Sequence, residues 1–128
     1  MDHATAREFA EDWVQAWNAH DLERVLAHFA DDVVFTSPAA AQLIGGSDGV
    51  LRGKAALRAY WAEGLRRIPD LRFTVLDVYA GVSALVINYR NQKGARVGEV
   101  LIFDGPLVVQ GHGTYLGADP SPAGAASS

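Results

Sequence analysis

The side chains best suited to proton chemistry in this 128-residue chain lie in two apolar runs near its C-terminal end. Glu99 opens the run Glu99-Val-Leu-Ile-Phe103, and His112 is set into Leu107-Val-Val-Gln-Gly-His-Gly-Thr-Tyr115. The runs read as two strands joined at Asp104-Gly105-Pro106. A close turn there pairs Phe103 with Val108 and so sets Glu99 opposite His112. Lys93-Gly94 suits a two-residue hairpin between Gln92 and Ala95, which sets Asn88 opposite Glu99. Three polar groups then form a row across three strands, at cross-strand spacings of about 5 Å. A carboxyl in an apolar wall has its pKa raised by desolvation and lowered again by a neighbouring imidazolium. Such a pair can serve as general base and general acid. Arg90, one ladder step from Asn88, would approach Glu99 diagonally. A one-residue slip in either ladder turns every side chain to the other face. The competing expectation is therefore an acid and a histidine in a structural contact at the rim or on an outer face.

The remaining polar and aromatic residues give weaker signals. Trp13, Trp17, Tyr60, Trp61 and Phe73 recur at core positions and would line either a core or a ligand wall. Tyr115 brings a hydroxyl to the same region. Asp77 is expected at an exposed or edge position, His20 and His28 on the surface, and Asp31 and Asp32 as caps of a helix-to-strand turn. The four histidines, at positions 3, 20, 28 and 112, have no ligand spacing and no acidic cluster beside them, so no metal site is expected. No glycine-rich phosphate loop precedes a helix and no serine sits in a nucleophile elbow, so no cofactor is expected either.

Composition narrows the classes further. Nearly half the residues are hydrophobic and 20% are charged, as in an ordinary globular domain. A net charge of −4 without a basic stripe predicts neither a nucleic-acid partner nor a membrane surface. There is no cysteine, which removes disulfides, thiolate catalysis and cysteine-bound metals. The first residues lack the basic start and apolar core of a secretory signal, and no apolar run approaches the roughly 18 residues that span a bilayer. A cytoplasmic protein is the expectation.

The elements that must position these residues can be read in order. Thr5-Ala-Arg-Glu8 has capping-box spacing, and Ala6, Phe9, Ala10, Trp13 and Trp17 follow at helical spacing. Asp21 restarts the chain as an N-cap for a short second helix striped by Leu22, Val25, Leu26 and Phe29. A strand over 33–37 is stopped by Pro38. Residues 38–52 read as a long irregular connection with a brief strand at Val50-Leu51. Gly53 opens a third helix that buries Leu57, Tyr60, Trp61, Gly64, Leu65 and Ile68 before Pro69. Strands over 71–79, 83–91, 96–103 and 107–115 then follow as an antiparallel meander. Residues 1–116 form one α+β domain, and 117–128, rich in Gly, Ala, Pro and Ser, read as a disordered tail. Both faces of the late strands are apolar, Leu85, Ile87 and Tyr89 on one side and Ala84 and Val86 on the other. The second face needs a cover, which predicts a homodimer through the sheet.

Three segments carry a family resemblance: Trp13-Val-Gln-Ala-Trp-Asn-Ala-His-Asp-Leu22, Phe29-Ala-Asp-Asp-Val-Val-Phe35 and Gly53-Lys-Ala-Ala-Leu57. With the Phe-Asp-Gly turn at 103–105, they resemble the nuclear transport factor 2-like superfamily and its SnoaL-like branch, over about residues 4–116. The resemblance implies a cone-shaped curled antiparallel sheet wrapped around three N-terminal helices and enclosing a pocket, commonly dimerised through the sheet. Members include ketosteroid isomerases, polyketide cyclases, dehydratases, an epoxide hydrolase and non-enzymatic binding modules. Carried over position by position, the isomerase pattern puts its oxyanion-binding tyrosine on Trp13, its base aspartate on Ser37, its supporting tyrosine on Trp61 and its protonated aspartate on Glu99. Only Glu99 keeps its chemical type. Serine cannot supply a carboxylate base, so steroid isomerisation by the usual mechanism is not expected. The family's usual strand alignment also turns His112 outward.

The expectation is thus a cofactor-free enzyme that moves protons on an apolar small molecule, by isomerisation, cyclisation or dehydration. Glu99 and His112 would be catalytic, with Trp13, Trp17, Ser37, Tyr60, Trp61, Asn88 and Tyr115 around the substrate. The alternative is a non-catalytic ligand-binding or dimeric interaction module of the same fold.

Overall fold

A computed structural model describes residues 1–44 and 46–117. The element order is α1 (His3–Asn18), α2 (Leu22–Leu26), β1 (Phe29–Thr36), α3 (Pro38–Leu43), β2 (Val50–Arg52), α4 (Lys54–Arg67), β3 (Thr74–Ala80), β4 (Ala84–Arg90), β5 (Arg96–Asp104) and β6 (Leu107–Tyr115). The six strands form one sheet in the order β2-β1-β6-β5-β4-β3. The meander from β3 to β6 is antiparallel as expected, whereas β1 joins β6 in parallel. Of the expected disordered tail, 117–128, all but Gly117 lies outside the described residues. Among the described residues no helix is long and apolar enough to cross a membrane, and no group of three or more His, Asp or Glu is placed to hold a metal ion.

Several boundaries differ from the sequence reading, and β3 starts at Thr74 rather than at 71. Helix α1 starts earlier, because Asp2 rather than Thr5 is the N-cap and its Oδ1 accepts from the Thr5 amide at 2.8 Å. Phe29 opens β1 instead of ending α2, and Asp31 and Asp32 lie within that strand at its register irregularity rather than capping a turn. The connection 38–52 holds a helix. Pro38 ends β1 but also sits in the first turn of α3, where its missing N–H costs nothing. Ser37 caps that helix, with its Oγ accepting from the Ala39 amide at 3.1 Å.

The helices cover one face of the sheet, and strict alternation follows: Leu85, Ile87 and Tyr89 of β4 and Val97, Glu99, Leu101 and Phe103 of β5 are the inward, buried residues. Helix α1 contributes Ala6, Ala10, Trp13, Ala16 and Trp17, and α4 contributes Leu57, Tyr60 and Trp61. Aromatic rings tie these layers together. Trp17 meets Trp61 edge-on at 5.0 Å, and Trp61 meets Phe29 and Phe35 of β1, each at 5.3 Å.

Both ladders around Glu99 are shifted by one residue from the simplest pairing. The β4–β5 turn contains three residues, not two. The Asn91 amide donates to the Ala95 carbonyl at 3.0 Å, Asn91 Oδ1 accepts from the Lys93 and Ala95 amides, and Gly94 takes the left-handed conformation at φ 81°. This is the three-residue hairpin form. In the β5–β6 ladder Ile102 pairs with Gln110 and Phe103 with Val108, so Val109 is an inserted bulge residue. Glu99 therefore pairs with Ile87 and Gly113, His112 with Val100, and Asn88 with Gly98.

Gly111 shows how closely β1 and β6 approach. A Cβ built there lies 2.6 and 2.7 Å from carbons of the Phe35 ring and 3.2 Å from Leu101. Gly111→Val should therefore destabilise the domain by about 1–3 kcal/mol through overpacking. Urea unfolding checks this, and an unchanged midpoint would contradict the packing described.

Candidate active site

The row Asn88–Glu99–His112 does not form. The one-residue shifts leave Glu99 on the inward face and turn His112 and Asn88 to the outer face. There Asn88 Nδ2 donates to Asp77 Oδ2 at 3.2 Å, and His112 Nδ1 is bonded to the Thr36 hydroxyl at 2.7 Å. Asp77 is exposed, as expected, and Arg90 pairs with Arg96 on that outer face rather than approaching Glu99. His20 Nε2 meets the Leu71 carbonyl at 2.9 Å, and His28 Nε2 lies 2.6 Å from Asp12. Both are held by structural contacts.

Glu99 is the chemical centre of what remains. Its exposure is 0%, and no hydrogen bond of full geometry reaches either carboxyl oxygen. Burial raises its pKa to about 8, and the Tyr89 hydroxyl pulls in the other direction without cancelling that effect. At neutral pH Glu99 is therefore mainly the neutral acid, able to donate a hydrogen bond and to give up a proton. Tyr89 was missed as a site residue although its signal was present: it lies two residues beyond Ile87 on the inward face of β4. Its ring sits 4.5 Å from Phe73 and 5.1 Å from Trp13.

A polar path leaves Glu99 across the sheet. Gly113 is its partner on β6 and carries no side chain. Thr36 pairs with His112, so Ser37, the next residue of the chain, stands beside Gly113 on the inward side, 2% exposed. Tyr60 comes down from α4 and its hydroxyl is hydrogen-bonded to that of Ser37. Burial pushes the Tyr60 phenol well above its usual range, and the charges of Tyr115 and Glu99 act in the same direction. Glu99, Tyr89, Tyr60, Ser37 and Tyr115 are thus gathered by the fold, while His112 and Asn88 are not.

The aromatic residues expected around the substrate are all buried, and Trp13, Trp17 and Trp61 share one cluster with Phe73 and Phe29. None of the three indole N–H groups has a hydrogen-bond partner. A cleft of about 320 Å³ runs past the ends of β1 and β6, lined by Thr36, Ser37, Pro38, Val50, His112 and Gly113 among others. It touches the row that contains Glu99 at Ser37 and Gly113.

Burial of this acid has a measurable thermodynamic consequence. The folded-state pKa lies above the unfolded value of 4.5, so the native state holds a proton that the unfolded chain releases. The resulting destabilisation is absent below about pH 4.5, grows toward pH 8 and is complete above it. The carboxylates with lowered pKa, such as Asp12 and Glu63, complete their stabilising contribution at lower pH. Raising the pH from 5 to 9 should thus lower stability by several kcal/mol, on the order of the shift at ~1.4 kcal/mol per unit. Glu99→Gln should remove most of that fall. Thermal unfolding of both proteins at the two pH values is the check, and parallel pH dependence would refute the burial argument.

Residues 10–117 match the SnoaL-like domain family. A SnoaL-like protein of unknown function from Burkholderia thailandensis E264 is 42% identical, with a TM-score of 0.86 over 91% of this chain and 99% of that one. Two more distant structures share the fold. TerC, co-crystallised with polyporic acid, is 13% identical over 87% of this chain and 91% of its own, with a TM-score of 0.71. AclR, a putative hydroxylase from Streptomyces galilaeus, is 21% identical over 88% and 79%, with a TM-score of 0.68. The chain matches no curated protein. By its match over most of its length and its close Burkholderia relative, this protein belongs to the SnoaL-like domain family.

Proposed function

We propose that this protein is a cofactor-free enzyme that performs acid-led proton transfer on an apolar, oxygen-bearing small molecule held against Glu99. The carrying observation is a fully buried glutamic acid beside Tyr89 and near an aromatic cluster, where burial raises its pKa to about 8. A neutral carboxylic acid in a low-dielectric site stabilises developing negative charge on a substrate oxygen by donating to it. The same acid can complete a dehydration, cyclisation or isomerisation by transferring its proton. Ser37 occupies the position where an isomerase would hold its carboxylate base. Its hydroxyl is engaged with Ala39 and Tyr60, so the chain offers an acid without a strong base beside it. Fold relatives such as TerC, crystallised with polyporic acid, support an aromatic compound bearing carbonyl or hydroxyl groups as the ligand class.

Trp13, Trp17 and Trp61 are the three tryptophans of the chain, and all surround this interior. Their fluorescence therefore reports on ligand access. A panel of hydroxyquinones and cyclic ketones, screened by fluorescence for binding and by absorbance for conversion, tests the reading. Glu99→Gln should lower turnover by about a hundredfold or more while affinity changes little. Undiminished turnover in that variant would end the catalytic assignment. If a ligand binds the native protein and is recovered unchanged, the non-catalytic reading stands instead; the engaged hydroxyl of Ser37 favours it.

The outer sheet face completes the proposal. Ala84, Val86, Val100 and Ile102 form a half-buried apolar band there, with Tyr79 58% exposed at its side. Polar rows through Asn88 and Thr114 and through Gln110 flank that band. A second copy laid on it about a twofold axis would set apolar on apolar. We assign this face to a homodimer. Sedimentation velocity should give twice the chain mass of 13.7 kDa, and Val100→Glu should give the monomer. A native protein that sediments as a monomer would exclude the dimer.

A further inference from the structure

Resting on the proposed role of Glu99, we infer that the Tyr60–Ser37 hydroxyl pair is the proton path between the buried acid and the cleft beside α3. A carboxyl with no exposed surface cannot renew or lose its proton directly to solvent, so each catalytic cycle needs a route. The sheet register defines that route. Along the inward face the order is Ser37 on β1, Gly113 on β6 and Glu99 on β5, each on adjacent strands. Two strand spacings separate the serine from the acid, or roughly 10 Å, and the residue between them has no side chain. Tyr60 comes from α4, is hydrogen-bonded to Ser37 and lies close enough to Glu99 to feel its charge. Ser37 is in turn a wall of the 320 Å³ cleft, whereas Glu99 is not among the residues lining it.

The two hydroxyls are suited to relay rather than to ionise. Burial keeps the Tyr60 phenol protonated throughout the working range. A proton leaves when Tyr60 O–H is passed to Ser37 Oγ while Ser37 O–H passes to water in the cleft. The tyrosine oxygen then receives its proton from the Glu99 side, through a bound substrate oxygen or a water above Gly113. Every oxygen on the path gains one proton and loses one, and the net change is one proton moved from Glu99 to solvent. Tyr89 and Tyr115 are the other hydroxyls near this row. Tyr89 stands on the β4 side of Glu99, away from Ser37, and Tyr115 lies one inward step further along β6.

Infrared spectroscopy tests the path without a substrate. At pH 6 the native protein should show the carbonyl stretch of a protonated carboxyl that is missing in Glu99→Gln. Its shift on transfer to deuterated water times the exchange. Tyr60→Phe should slow that exchange about tenfold or more, the factor expected from one lost hydrogen bond. Ser37→Thr, which keeps hydroxyl and helix cap, should exchange at the native rate. A Tyr60→Phe protein that folds by circular dichroism, retains the band and exchanges it as fast as the native protein would overturn the path. That result would leave the role of Glu99 intact, since that role fails only if Glu99→Gln keeps its turnover.

Discussion

The burial of one carboxyl group governs this molecule. An ionised glutamate buried in this apolar interior would face a desolvation cost that burial imposes and the Tyr89 hydroxyl offsets only in part, and among the described residues no cation acts on Glu99. The group answers by staying protonated at neutral pH. Folding therefore selects a chemical state for the acid, and that state is useful in a reaction but unfavourable to stability once the pH rises. Arg90 and His112, the two basic residues that the sequence reading set beside Glu99, are both on the opposite face of the sheet. Their absence from the interior is what keeps the acid neutral.

How the chain achieves this is a question of register. The fold class, the three principal helices, the antiparallel meander and most of the core were legible from periodicity, because inward residues recur at spacings of two and of three to four. The direction of Glu99 was left open by the same alternation, because a one-residue slip reverses it. The pairing was not legible. Two local devices each displaced a ladder by one residue: the Asn91 side chain, which gathers the Lys93 and Ala95 amides into a three-residue turn, and the bulge at Val109. Lys93-Gly94 fits a two-residue turn equally well, and nothing in Leu107–Val109 announces an extra residue. Helix α3 was hidden for a related reason. Pro38 reads as a strand terminator, and it is one, but the same residue also begins a helix capped by Ser37.

The partial legibility of the site has the same origin. Residues gathered by helical spacing, Trp13, Trp17, Tyr60 and Trp61, could be named from the sequence, because a helix brings them together by itself. Tyr89 is adjacent to Glu99 only through the β4–β5 ladder, and Ser37 approaches it only because β1 lies parallel to β6. That parallel pairing depends on Gly111, where the Phe35 ring occupies the space a side chain would need. A glycine thus decides how closely the serine-bearing strand approaches the acid.

These constraints bear on the kind of reaction the site can support. An acid that is neutral at pH 7 and a serine already committed to a helix cap and a tyrosine make a site that gives protons more readily than it takes them. Three indole N–H groups without acceptors extend the same bias, since each is a donor and none can accept. A guest that brings its own acceptor oxygens matches such an interior, whereas an amine or a second cation would meet no counter-charge. The proton balance must then be closed either by the guest itself or through the hydroxyls of Tyr60 and Ser37. On the proposed path, the buried tyrosine and serine would join chemistry at the strand-borne acid to exchange at the cleft while the aromatic core stays closed.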